Sequence, residues 1–153
     1  MKSQGEIEAA VCDGVSRFQQ EFIGRGPRDI HVHLVGSLLL VRLQGVLTPA
    51  ERQLVAPRLE AAAGNDGGDG LDAGNGNGTH GNGNGNGNGR ALLKQIRAHM
   101  VATGRPRLEE LVQGATGVRL LSVHHDISTV TGEEVIVFSL ESAPPCRPAR
   151  KRM

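Results

Sequence analysis

The sequence predicts an α+β fold: two β-hairpins forming a small, mostly antiparallel four-stranded sheet, with helices packed on one face. Three observations carry this. Apolar and polar side chains alternate in two pairs of short stretches, 30–46 and 118–140. Apolar residues recur at helical spacing before the first pair and between the pairs. Glycine-containing turns, Gly36-Ser37 and Thr131-Gly132, divide each pair. Strands grouped in pairs, with helices between the pairs, favour helices segregated to one side of an antiparallel sheet over a parallel βαβ arrangement.

The first helix opens at Ser3, with Glu6 three residues later in capping-box spacing. Ile7, Val11, Val15, Phe18 and Phe22 follow at steps of four, four, three and four, which places them on one stripe. Gly24 ends this helix as the residue able to take positive φ. Ile30, Val32 and Leu34 alternate with His31 and His33, the pattern of a half-buried strand, and Leu38 to Val46 forms its hairpin partner, more buried at its centre. Thr48, Pro49 and Glu51 make the clearest local signal: a capping threonine, a proline whose missing N–H is not needed at the first helical position, and a glutamate that returns to the cap's own N–H. This helix directs Leu54, Val55 and Leu59 inward and fades in Ala61-Ala62-Ala63. The next runs from about Arg90 with Leu92, Leu93, Ile96 and Met100, and stops near Gly104. Arg105-Pro106 opens a further helical stretch carrying Leu108, Leu111 and Val112. Val118 to Ile127 and Val135 to Leu140 are the last two strands.

Two segments are unfit to join a core. Residues 64–89 hold twelve of the 22 glycines and an Asn-Gly repeat, and residues 142–153 form a Pro/Arg tail. The repeat has almost no apolar surface to offset its ordering entropy, so it reads as a disordered loop inserted in a single domain spanning 1–141. What remains, about 115 residues, is close to the commonest domain size. Its core must be aliphatic, since Phe18, Phe22 and Phe138 are the only aromatic residues.

The net charge of +1 hides an asymmetry, because Arg147, Arg150, Lys151 and Arg152 cluster in the tail and leave the rest of the chain at −3. A mildly acidic body is a poor nucleic-acid binder, and no specific nucleic-acid partner is expected. Cys12 and Cys146 are too few and too far apart to suggest a disulfide framework, and the region after Met1 lacks the apolar core of a signal peptide. These features read as cytoplasmic. The longest apolar run, around Leu38 to Val41, is far short of the ~20 residues that cross a bilayer, so no transmembrane segment is expected.

Histidines supply the one constellation with chemical potential. Residues i and i+2 of a strand share a face, so His31 joins His33, and His124 joins Asp126. Were the two strands neighbours, these imidazoles and the carboxylate would converge at zinc-like distances. The bland alternative puts them on the solvated face and ends of strands. Arg25, between Gly24 and Gly26-Pro27, has the surroundings to offer a guanidinium and free N–H groups to an anion, or simply to form a helix stop and a rigid entry to a strand. Arg25, His31, His33, His124 and Asp126 are therefore the candidate ligand- or partner-binding residues. No catalytic residue, metal site or cofactor is assigned. A small sheet has two edges to protect, and a second copy is one common cover, so a homodimer is a further expectation.

Two motif runs resemble one family. These are Gly24-Arg25-Gly26-Pro27 continuing to Gly45-Val46-Leu47-Thr48-Pro49-Ala50-Glu51, and Thr116-Gly117-Val118 continuing through His124-His125-Asp126-Ile127-Ser128 to Thr131-Gly132-Glu133-Glu134-Val135-Ile136-Val137-Phe138. Their order and spacing are similar to the MpsC type, a soluble component named after a Na⁺-translocating, membrane-potential-generating system, over about residues 4 to 140 outside the insert. The resemblance implies a non-enzymatic accessory or regulatory protein associated with a membrane ion or inorganic-carbon transport system, peripheral to the membrane through a transport-protein partner. It supplies no catalytic residues. The alternative, from the residues alone, is a small metal-dependent enzyme or ligand-binding protein using the His/Asp cluster.

Overall fold

The computed structural model describes residues 1–56 and 85–148. Most of the Gly/Asn insert, together with Leu59 and Ala61-Ala62-Ala63, lies outside the described residues, as does the tail from 149 onward.

Eight elements follow in the order α1 (Gln4–Ile23), β1 (Asp29–Val35), β2 (Leu38–Gln44), α2 (Pro49–Val55), α3 (Gly85–Thr103), α4 (Arg105–Thr116), β3 (Leu120–Ile127) and β4 (Glu134–Leu140). Both capping boxes form: Ser3 and Glu6 exchange side-chain bonds with each other's backbone at the start of α1, and Thr48 and Glu51 do the same at α2. Gly24 ends α1 at φ 85°, a left-handed conformation that an L side chain resists.

The strands form one antiparallel sheet in the order β1-β2-β4-β3. Each hairpin pairs within itself, and the hairpins join through β2 and β4, with Val41 opposite Ile136. One side of the sheet presents Val32 from β1, Leu39, Val41 and Leu43 from β2, Ile136, Phe138 and Leu140 from β4, and Ile127 from β3, all buried. Against them lies the helical layer: α1 packs over β1 and along α4, while α3 covers β3 and carries α2. The α1 stripe enters this core as its spacing predicts, with Val11, Val15 and Phe18 fully buried.

Three details differ from the sequence expectation. Helix α3 starts at Gly85, within the glycine-rich stretch, rather than near Arg90. A methyl group on Gly89 would overlap the carbonyl oxygen of Leu54, so the last glycine of the repeat lets α3 approach the end of α2 closely. The tail is also seated at its start, because Arg147 donates its N–H to Lys2 O and its guanidinium lies 3.4 Å from Glu6 at the N-terminus of α1. Finally, β3 begins at Leu120 and skips a register position at Leu121, where a bulge turns that carbonyl toward Arg105.

Candidate functional site

Strand alternation gives the sheet a second face, and among the described residues no helix covers it. Reading across the four strands from β1 to β3, one row of this face holds His31, Arg42, Val135 and Asp126, and the next holds His33, Leu40, Val137 and His124. A third row holds Val35, Leu38, Ser139 and Ser122. The middle of the face is apolar. Val35, Leu38 and Leu40 are 63%, 42% and 37% exposed, and Val135 and Val137 are half-buried. Polar groups stand on the outer strands, His31 and His33 on β1 and His124 and Asp126 on β3, while Arg42 of the inner strand β2 is tied to Glu133 at 2.8 Å.

The strand order separates the histidines. β1 and β3 are the outer strands, three strand spacings of ~4.8 Å apart, so His31 and His33 stand ~14 Å from His124 and Asp126 on the same face. They do not converge. Among the described residues, no group of three or more His, Cys, Asp and Glu side chains is placed to hold a metal ion. His124 sits 3.2 Å from Ser122 Oγ. Asp126 accepts from Lys94 Nζ at 3.0 Å and from the Ile127 N–H at 2.8 Å, both at Oδ1. These two bonds, that from Lys94 foremost, hold its carboxyl below the usual carboxylate range. Arg25 donates to the Leu47 carbonyl at 3.1 Å, so its guanidinium fastens the turn after α1 to the turn after β2.

A different set of residues does converge, in the interior. Arg97 of α3 is 1% exposed and uses all five of its N–H donors. Nε and Nη2 grip both oxygens of Glu51 at 2.7 Å each, and Nη2 also reaches Val46 O at 2.8 Å. Nη1 donates to Glu134 at 3.0 Å and to Gln19 Oε1 at 3.2 Å. Gln19 in turn donates to the other oxygen of Glu134 at 2.8 Å. One guanidinium thus ties together α1, the β2–α2 turn, α2, α3 and β4. Glu51 serves twice, since its Oε1 also accepts the Thr48 N–H of the capping box. Burial alone raises the Glu51 carboxyl, but the bonds from Arg97 and Thr48 with the guanidinium charge outweigh it and hold the group below its ordinary value. With every donor taken, Arg97 is a structural clamp rather than an anion receptor.

Beside the clamp, His125 of β3 brings its Nε2 to 3.4 Å from Glu134 Oε1, a distance and geometry that leave this nitrogen without a hydrogen bond. Its side chain is 7% exposed. It borders an open cleft of about 330 Å³ between α3 and the β3 edge, lined by Ala98, Val101, Ala102, Arg105 and Val123.

The sequence carried signals for the clamp that its apolar pattern obscured. Arg97 stands four residues after Leu93, on the buried stripe of α3. Glu134 shares its inward register with Ile136, Phe138 and Leu140, and Gln19 follows Phe18 on the inner side of α1. Polar residues at three core-facing positions signal a satisfied internal network, because isolated ones would be too costly to bury.

Among known proteins, a family model described as Na⁺-translocating membrane potential-generating system (MpsC) matches residues 3–62 and 84–142. The uncharacterized protein YbcI of Bacillus subtilis (strain 168) is 27% identical over 139 residues, covering 91% of this chain and 89% of its own length. No solved structure matches the chain.

Proposed function

Because the chain belongs to the MpsC family, described by its link to a Na⁺-translocating membrane potential-generating system, we propose that it is a non-enzymatic accessory protein of a membrane ion or inorganic-carbon transport system. It acts through protein contact. None of the described helices is long and apolar enough to cross a membrane, so on this reading the chain reaches the bilayer through a membrane-bound partner. The observation that carries the reading is the helix-free sheet face, where Val35, Leu38 and Leu40 form a contiguous exposed apolar patch next to Val135 and Val137. Scattered apolar residues are ordinary on a surface, but a contiguous patch rimmed by polar groups marks an interaction site.

The test is recovery of a tagged chain on detergent-solubilised membranes, followed by identification of what co-purifies. A reproducible integral-membrane partner is the expected result. Retention that is indifferent to the presence of membranes would sink the proposal.

A ligand-binding reading draws on one observation, the cleft where a buried His125 nitrogen lacks a partner and Arg105 supplies a cation. Elemental analysis and native mass spectrometry of the purified protein decide between the readings. A stoichiometric metal or small molecule lost in His125→Leu would favour the ligand.

A further inference from the structure

We propose that the outer edge of β3 takes an extended C-terminal segment of a partner protein as a fifth, antiparallel strand, with side chains entering the cleft beside α3 and the carboxylate at Arg105. This contact is separate from the open sheet face. It assigns the cleft a peptide in place of a metal or small molecule.

The backbone of β3 dictates what fits there. β3 is an outer strand, so alternate residues turn their N–H and C=O groups away from β4. Ser128 donates its N–H to Glu133 O across the hairpin, which by alternation turns the backbone groups of Val123, His125 and Ile127 outward. Two side chains agree with this direction and close the ends of the edge: Asp126 Oδ1 accepts the Ile127 N–H, and Arg105 donates to the Leu121 carbonyl. Between these ends, the N–H and C=O groups of Val123 and His125 have no partner among the described residues. An edge open only at its middle matches a short extended backbone, whose donors and acceptors repeat at the same spacing. On β1, the other outer strand, the N–H and C=O of Leu34 are already bonded to Glu8 and Gln4 of α1.

The side chains around the edge select the segment. Val123 and His125 lie opposite the buried Phe138 and Ile136, so they point to the helical side. Guest residues opposite them share that side and enter the cleft of about 330 Å³ formed with Ala98, Val101 and Ala102 of α3. The two alanines leave room and the helix wall is apolar, so both guest side chains are small and apolar. The guest residue between them emerges on the open face beside His124. Lys94 reaches Asp126 and Arg105 reaches Leu121, so α3 runs antiparallel to β3 and Arg105 marks the end where β3 begins. An antiparallel guest ends there. Its carboxylate has one oxygen for the Val123 N–H and the other for Arg105. Glu109 holds Nε of that arginine and the Leu121 carbonyl holds Nη2, which leaves Nη1 without a partner among the described residues.

A displayed random library of C-terminal hexapeptides with free carboxylates, selected on the full chain and followed by fluorescence polarisation of the recovered peptides, tests the assignment. Two paired residues make a weak complex, so the expected Kd is on the order of 10–100 µM. Amidating the peptide's C-terminus should weaken binding about tenfold, and Arg105→Gln should abolish that difference. Ala102→Glu, at an exposed helix position, should abolish binding with an unchanged circular dichroism spectrum. Hydrogen exchange followed by NMR should show the Val123 and His125 amides slowed by peptide, while the His124 amide, which faces β4, is unchanged. Leu40→Glu, on the open face, should leave peptide binding intact, so loss of a membrane partner in that variant bears only on the function proposed above. The proposal is overturned if no peptide binds more tightly than about 500 µM, if acid and amide forms bind the wild type equally, or if Leu40→Glu abolishes binding. Exchange that slows elsewhere than at Val123 and His125, or a metal or small molecule that leaves the protein in His125→Leu, overturns it as well.

Discussion

At the scale of single residues, the side chain on which most of the tertiary structure converges is Arg97, because its five bonds reach four segments distant in sequence. Removing one partner of a buried ion pair leaves the others charged and unpaired, at a cost of about 3–5 kcal/mol. Arg97→Met should therefore lower the urea midpoint sharply, and Arg97→Lys should recover only part of the loss, since an ammonium cannot reproduce the two-pronged grip on Glu51. Near-normal stability of Arg97→Met would show that the clamp contributes little. Glu51 predicts a pH dependence. A carboxyl whose folded-state pKa lies below its unfolded value stabilises the fold above the unfolded value, here 4.5, and that contribution is lost as pH falls through the lower, folded one. Wild-type stability measured from pH 7 to pH 3 should fall below about pH 4.5, and Glu51→Gln should start lower and fall less steeply.

At the scale of elements, helix boundaries follow from local chemistry, while helix contacts depend on close approach. The junction of α3 and α4 is an example. Gly104 is buried with ordinary φ of −85°, so glycine is required there for space rather than for backbone freedom. A methyl group would overlap the ring edge of Phe18, which is 1% exposed and stacked on Phe22 at 4.5 Å. The ring has nowhere to go. Gly104→Ala should cost about 1–3 kcal/mol by overpacking, against the small gain alanine gives an open helix position. Thermal denaturation of Gly104→Ala beside Gly114→Ala checks this, since Gly114 has nothing within 4 Å of its missing Cβ and should tolerate the change.

At the scale of the molecule, the described helices lie on one side of the sheet, so among the described residues the sheet has one committed face and one open face. His31, His33 and His124 all stand exposed on the open one. A His31→Ala/His33→Ala/His124→Ala variant should keep the wild-type melting temperature within a few degrees, because exposed substitutions usually change stability by no more than about 0.5 kcal/mol. It should also carry as much metal as the wild type and show weakened association. Loss of a stoichiometric metal in this variant, seen by elemental analysis, would revive the metal-dependent alternative.

What the sequence determined by itself was local. The caps at Ser3 and Thr48, the stop at Gly24, the stripe of α1 and the alternation of β1 and β4 depend on neighbours within a few residues, and each appears where its pattern places it. The α+β class followed from the order of those elements. The family was legible too, because its motifs fall on these same caps and turns. Strand order was not legible, since alternation says which face a residue occupies and nothing about which strand lies beside it. That order decided the candidate site: with β2 and β4 at the centre, His31 and His33 stand on one edge and His124 and Asp126 on the other, so a metal-like cluster becomes two margins of an apolar face. Tertiary structure alone also assembled the clamp. Glu134, Glu51 and Gln19 stand 37, 46 and 78 residues from Arg97, and only folding brings five acceptor atoms around one guanidinium whose burial unpaired would be prohibitive.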